Sequence, residues 1–191
     1  MESIIAADKA LFLYLNGWHS PFFDPVMWTI TRASTWYVMY VAIVVWISFR
    51  YRRRAPVVVL LAVVAVILSD LASVHIFKET ICRLRPSHNP EFAGLVHLID
   101  GYKGGTYGFV SSHAANSFAI AVYTAFALKT RWYTIAILSW AVLVSYSRIY
   151  VGVHYPLDLI GGAATGTVIA LLMYGISKKI LGKQGISDRS S

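Results

Sequence analysis

Cysteine is almost missing from this chain. Cys82 stands alone among 191 residues, which excludes an internal disulfide and a cysteine metal cluster. Acidic residues are scarce as well, nine against 17 Lys and Arg, for a formal net charge of +8. There is no internal repeat and no low-complexity tract. The opening MESIIAADKALF has neither the basic start nor the small-residue cleavage site of a signal peptide. Only KQGISDRSS, about 183–191, reads as a disordered tail. No polar stretch is long enough for a separate soluble domain, so residues 1–191 are expected to form a single domain.

Hydrophobic residues are plentiful, at 57% of the chain. A bilayer-spanning helix needs about 20 mostly apolar residues. Such runs occur at roughly 27–49, 55–77, 112–129, 132–146 and 156–177. The expected fold class is therefore all-α: a polytopic membrane helix bundle with five to six transmembrane helices. Residues 1–22 interleave Ile4, Ile5, Leu11, Phe12 and Leu15 with Asp8 and Lys9. This pattern predicts an N-terminal amphipathic helix lying at the membrane interface rather than a sixth span. Five spans would place that helix outside, and six would place the N-terminus inside.

The cations are not spread as a nucleic-acid surface would need. Arg50 and Arg52 to Arg54 separate the first two runs, Lys129 and Arg131 the third and fourth, and Lys178, Lys179 and Lys183 follow the fifth. Alternation puts all three clusters on one side, which the positive-inside rule makes cytoplasmic. The connectors 78–111 and 147–155 then share the outer face. Their cations are few (Lys78, Arg83, Arg85, Lys103 and Arg148) and sit beside apolar runs. Cations held there ask for an anion.

Three constellations fall on that face. In KETICRLRP, Lys78 and Arg85 lie seven apart, so a continuing helix would set them on one face about 10 Å apart along the axis. Pro86 then stops the helix. Span-end snorkelling of the two cations would look the same. In GFVSSHAANSF, glycines 101, 104, 105 and 108 precede a natural N-cap at Ser111 or Ser112. A helix N-terminus offers free N–H groups to a phosphate, and His113 falls in its first turn. A plain N-cap with an incidental His would also fit. In SRIYVGVHYPLD, Pro156 suits the first helical position, so Asp158 would be the third and could reach back over the helix start. His154 lies four residues before it. A carboxylate on one imidazole nitrogen leaves the other nucleophilic, and Arg148 offers a planar fork for phosphoryl oxygens. An Arg–Asp pair closing the loop is an alternative. A metal site of His113, His154 and Asp158 is another, opposed by the nearby cations.

At these residues the sequence resembles the type 2 phosphatidic acid phosphatase superfamily. Its motifs are Lys-x6-Arg-Pro, Pro-Ser-Gly-His and Ser-Arg-x5-His-x3-Asp. Here they read KETICRLRP, VSSH and SRIYVGVHYPLD, in the same order from Lys78 to Asp158. The second departs from the pattern, with Val110 in place of Pro and Ser112 in place of Gly. The resemblance implies that His154 attacks phosphorus to form a phosphohistidine, that Asp158 orients it, and that His113 protonates the leaving oxygen. Lys78, Arg85, Ser111 and Arg148 would hold the phosphoryl oxygens, with Ser112 adding an N–H and a hydroxyl. It implies no metal and no cofactor. The expected partners are the lipid bilayer and a membrane lipid phosphate, such as undecaprenyl diphosphate or phosphatidylglycerophosphate, with some members acting on lipid A. A lipid phosphotransferase would use the same site.

An anion or proton transporter is the reading from another class. It would need polar residues threading several spans, and Asp70 is the only charged residue in mid-span. Asp70 is expected to hydrogen-bond to a neighbouring helix, His75 to pack, and His88, Glu91, His97 and Asp100 to belong to a solvated loop. Gly162 and Gly166 form a small-xxx-small pair, which predicts close packing of the last span on a neighbour.

Overall fold

The computed structural model describes residues 2–182; the predicted tail lies outside them. Among these residues the fold is all-helical, with one isolated bridge between Leu84 and Tyr107. The elements are α1 (Glu2–Asn16), α2 (Phe23–Thr31), α3 (Tyr37–Tyr51), α4 (Ala55–Leu71), a single turn α5 (Glu79–Ile81), α6 (Ser112–Leu128), α7 (Arg131–Tyr150) and α8 (Pro156–Leu181). A π-helical segment, Ala72–Lys78, extends α4.

The first apolar run is not one helix. α2 ends at Thr31, Arg32 is extended, and a 3-10 turn at Ala33–Trp36 re-aims the chain into α3. Two helical stretches, Ala33–Ile81 and Pro156–Leu181, are long and apolar enough to cross a membrane. Their large side chains point outward: Val38 is 82% exposed and Phe49 79%. Leu60, Ile160, Leu172 and Ile180 are exposed as well. A helix apolar all round suits lipid on its outer side.

α6 is the central element, packed against α4, α7 and α8. Its contact with α8 is close because of two glycines. A Cβ on Gly162 would collide with the Ser111 carbonyl, and one on Gly166 with the Ala115 carbonyl. The small-xxx-small expectation is met at these two positions.

The basic connectors gather at one end. Arg54 Nη1 donates to the Leu181 carbonyl at 3.1 Å, and Tyr51 Oη to the Ala127 carbonyl at 2.7 Å. The turn after α3 therefore meets the C-terminal ends of α6 and α8. The other end carries α1 and the long connector. There the expectation of a solvated loop fails for one residue and holds for Glu91, which is exposed. His97 is paired with Asp24 at 2.9 Å, and its N–H donates to Asn16 Oδ1 at 2.8 Å. Glu91 is bonded to Lys9 at 2.5 Å. His75 is not a packing residue either; it is exposed and pairs with Glu79 one turn on.

Candidate active site

His154 lies in the short α7–α8 connector and is 1% exposed. Asp158 is the third residue of α8, where Pro156 opens the helix. Its Oδ2 accepts the Tyr155 N–H at 3.0 Å and lies 3.3 Å from His154 Nδ1. One carboxylate thus caps the helix and faces the imidazole. The loop 104–110 passes close by: a Cβ on Gly108 would stand 2.9 Å from Asp158 Oδ2, so glycine permits that approach. Burial, with the guanidiniums of Arg85 and Arg148 and the Lys78 ammonium nearby, pushes His154 well below its ordinary pKa. A neutral imidazole with Nδ1 held by a carboxylate presents its Nε2 lone pair for reaction.

Two residues that sequence reasoning left without a role complete this half. Arg83 Nη1 donates to Asp158 Oδ1 at 2.9 Å, and its Nη2 to Asp8 Oδ2 at 2.6 Å. Asp8 Oδ1 accepts the Leu157 N–H at 2.9 Å, in the first turn of α8. The Arg83 guanidinium also stacks 4.0 Å above the Tyr155 ring. Asp8, Phe12 and Asn16 are the buried residues of α1, and their i, i+4, i+8 spacing puts them on one helix face. An acid in line with an aromatic on the packing face of an amphipathic helix was the signal available.

The cations converge, but not as expected along one helix. The helix carrying Lys78 stops at Ile81, Cys82 is left-handed at φ 49°, and Arg85 is extended. Pro86 biases only the residue before it, whereas the break comes four residues earlier. Arg85 is held instead by the loop 104–108, where its Nε donates to the Tyr107 carbonyl at 3.0 Å. Lys78 Nζ donates to Ser112 Oγ at 2.6 Å. Arg148 is 2% exposed; its Nη1 donates to Thr31 Oγ1 at 2.6 Å, and its Nη2 reaches Tyr102 Oη at 3.5 Å. Its Nε is buried without a hydrogen-bond partner. An unpaired buried guanidinium N–H is costly unless an anion meets it. Thr31 and Tyr102 were not singled out from sequence.

Ser111 is the N-cap of α6, its Oγ accepting the Ala114 N–H at 3.5 Å. Its own N–H donates to the Asp158 carbonyl at 2.9 Å, which ties the second constellation to the third. Ser112, not Ser111, is the one that meets Lys78. His113 lies in the first turn of α6, within electrostatic reach of Arg148, His154, Arg85 and Lys78. It lines a crevice of about 190 Å³ with Ser112, Asp70 and Asn116. Asp70 accepts from Asn116 Nδ2 at 3.1 Å, the interhelical bond expected of it.

The arrangement therefore joins a carboxylate-held imidazole, three cations, a helix N-terminus and a second imidazole. That set can stabilise phosphoryl charge, supply a nitrogen nucleophile and move a proton. Among the described residues, no group of three or more His, Cys, Asp or Glu side chains could hold a metal ion.

Known proteins resemble this chain over most of its length. Residues 56–181 match the family model described as the PAP2 superfamily. A lipid A 4'-phosphatase of Porphyromonas gingivalis is 36% identical over 177 residues, covering 92% of this chain and 75% of that protein. A lipid A 4'-phosphatase of Bacteroides thetaiotaomicron is 37% identical over 183 residues, covering 94% and 81%. Among solved structures, the transmembrane PAP2-type phosphatidylglycerolphosphate phosphatase of Bacillus subtilis superposes with a TM-score of 0.69. Its sequence is 26% identical, and the match covers 94% of this chain and 89% of that one. With the family match running from the start of α4 to the end of α8, the chain belongs to the PAP2 superfamily.

Proposed function

We propose that this chain is a membrane lipid phosphatase that works through a phosphohistidine at His154, without metal or cofactor. The observation that carries the reading is the buried His154–Asp158 pair set among Lys78, Arg85 and Arg148. His154 Nε2 attacks phosphorus while the bond to the lipid oxygen breaks and His113 gives that oxygen its proton. Asp158 holds the Nδ1 proton and offsets the charge that develops on the ring. Lys78, Arg85, Arg148 and Ser112 hold the phosphoryl oxygens, and Ser111 fixes the helix end beside them. In the second half, His113 takes a proton from water, the oxygen attacks phosphorus, and the P–N bond breaks to release phosphate and a neutral His154.

The basic connectors at one end support five membrane passes, with that end cytoplasmic and the site on the extracytoplasmic face. α1 lies on the site side, as an odd number of passes requires. Lipid A-type phosphates join undecaprenyl diphosphate and phosphatidylglycerophosphate as candidate substrates, because relatives of that description share 36% and 37% identity.

The test is phosphate release from a panel of lipid phosphates by protein purified in detergent with excess chelator. Turnover should persist with chelator and vanish in His154→Ala. Acid-labile phosphate should be trapped on the protein by rapid quench. Full activity in His154→Ala would sink the assigned nucleophile, and loss of activity with chelator would sink the metal-free chemistry.

A further inference from the structure

Phosphate chemistry does not account for the polar lining beyond His113. Asp70 stands in the most apolar run of the chain, in α4, eight residues before Lys78. An ionisable side chain there is costly and is kept where it serves a function. The crevice that Asp70 and Asn116 share with Ser112 and His113 also takes in Trp140. Two buried atoms of these residues, Asn116 Oδ1 and Trp140 Nε1, have no hydrogen-bond partner. Buried polar groups are normally paired, so this side of the bundle is polar beyond what its own bonds use. Walls carrying Asp70, Asn116 and Ser112 suit a hydroxyl-bearing group better than a hydrocarbon chain.

The space changes character further along. A second groove of about 320 Å³, between α3 and α4, is lined by residues such as Ile43, Val63 and Ile67 and by no charged side chain. Tyr40 and Ile120 line both spaces, so the groove continues the crevice. From the cations outward the order is anion site, polar crevice, apolar groove. A lipid whose phosphate sits on a hydroxylated headgroup, followed by hydrocarbon, has the same order.

A diphosphate does not. Its leaving oxygen is bonded to a second phosphorus, which carries its own negative charge past His113 and towards the Asp70 carboxylate. Like charges placed side by side repel and disfavour the wrong partner. We infer that Asp70 and Asn116 form the leaving-group subsite, selecting a phosphomonoester on an uncharged, hydroxyl-bearing carrier (a sugar or a glycerol headgroup) over a diphosphate. The inference rests on the phosphatase reading above and narrows its substrate class.

The experiment compares kcat/KM for lipid A, phosphatidylglycerophosphate and undecaprenyl diphosphate, using the protein purified in detergent. The two monoesters should exceed the diphosphate by about tenfold or more. Asp70→Asn should close most of that gap, mainly by lowering KM for the diphosphate. Asn116→Ala should slow the monoesters without helping the diphosphate. The faster monoester identifies the carrier as sugar or glycerol. Thermal midpoints of the variants establish that they are folded, and Asp70→Ser, which also removes the charge, replaces Asp70→Asn if that variant does not fold. Equal turnover of diphosphate and monoesters, or a ratio unmoved by Asp70→Asn, overturns the subsite while leaving the phosphatase reading intact. No phosphate release from any lipid overturns the phosphatase reading and the subsite with it.

Discussion

The two halves of the site are built on opposite plans. Behind His154, on the Asp158 side, the polar atoms are buried and answered: both Asp158 oxygens are engaged, Arg83 is bonded by Asp158 and Asp8, and Asp8 is bonded in turn by Arg83 and α8. Around His113 the side chains line open space, and Asn116 Oδ1 and Trp140 Nε1 have no partner. The difference follows from what each half must do. A nucleophile reacts with the same atom in every turnover and gains from being fixed before the substrate arrives. A leaving group brings its own hydrogen-bonding atoms, so its half of the site must keep polar side chains along open space.

The comparison breaks most easily at the nucleophile. His154→Ala should cost about 10⁴-fold or more in kcat, because no other group can take the covalent step. Single-turnover phosphate release checks this, and a loss of only tenfold would mean that water attacks directly. A variant at His113 should slow turnover less for substrates with good leaving groups, since an aryl phosphate needs little help from an acid. If aryl and alkyl phosphates suffer equally, His113 is not the proton donor.

Next in size are the residues that hold the nucleophile without touching substrate. Arg83 sits between two carboxylates, and Asp8 balances part of its charge. In Asp8→Asn the whole guanidinium charge falls on Asp158, which weakens its hold on the imidazole. Arg83→Gln leaves Asp8 and Asp158 buried and short of a partner, the costly way to break such a pair. Both changes should lower kcat by about 10- to 100-fold, with KM for the lipid nearly unchanged. Arg83→Lys should recover part of the loss. A rise in KM at constant kcat would instead place Arg83 at the phosphate, beside Arg85.

How much of this was legible in the sequence depends on whether the information was local. Asp158 could be placed as a helix-start carboxylate four residues after His154 because Pro156 fixes the register of α8. The grouping of the basic connectors was legible because membrane topology obeys a charge rule. The path of Arg85 was not, since an αL residue at Cys82 ends the helix and a distant loop at 104–108 receives the side chain. Asp8 was further out of reach. Its partners lie 75 and 149 residues away, and no periodicity in α1 names them. The polar crevice was half legible: Asp70 stood out against its apolar run, but only packing sets Asn116 and His113 beside it.

The joint between the two halves is the contact of α6 with α8, and it is sensitive to volume. Gly166→Leu would drive a side chain into the Ala115 backbone. Overpacking of this kind costs about 1–3 kcal/mol and should appear as a lower thermal midpoint in detergent. Because α6 carries His113 and α8 carries Asp158, the same change should lower kcat for every substrate by a similar factor. A shift confined to one substrate would mean that the two halves move independently.

The smallest effect concerns pH and the burial of His154. His154 is held well below its ordinary value of 6.5, first by burial and then by Arg85, Arg148 and Lys78. In the unfolded chain the same imidazole takes up a proton near pH 6.5, while in the folded protein it stays neutral. Between those two values the unfolded state binds the extra proton, so stability falls as pH drops through 6.5 and keeps falling until the folded pKa is reached. The His154 share of the thermal midpoint of the substrate-free protein should therefore decline from pH 7 to pH 5. His154→Asn, which has nothing to titrate at that position, should decline less steeply. Parallel slopes would mean that His154 is solvated as freely in the folded protein as in the unfolded chain, and the sealed setting of the nucleophile would fail at its centre.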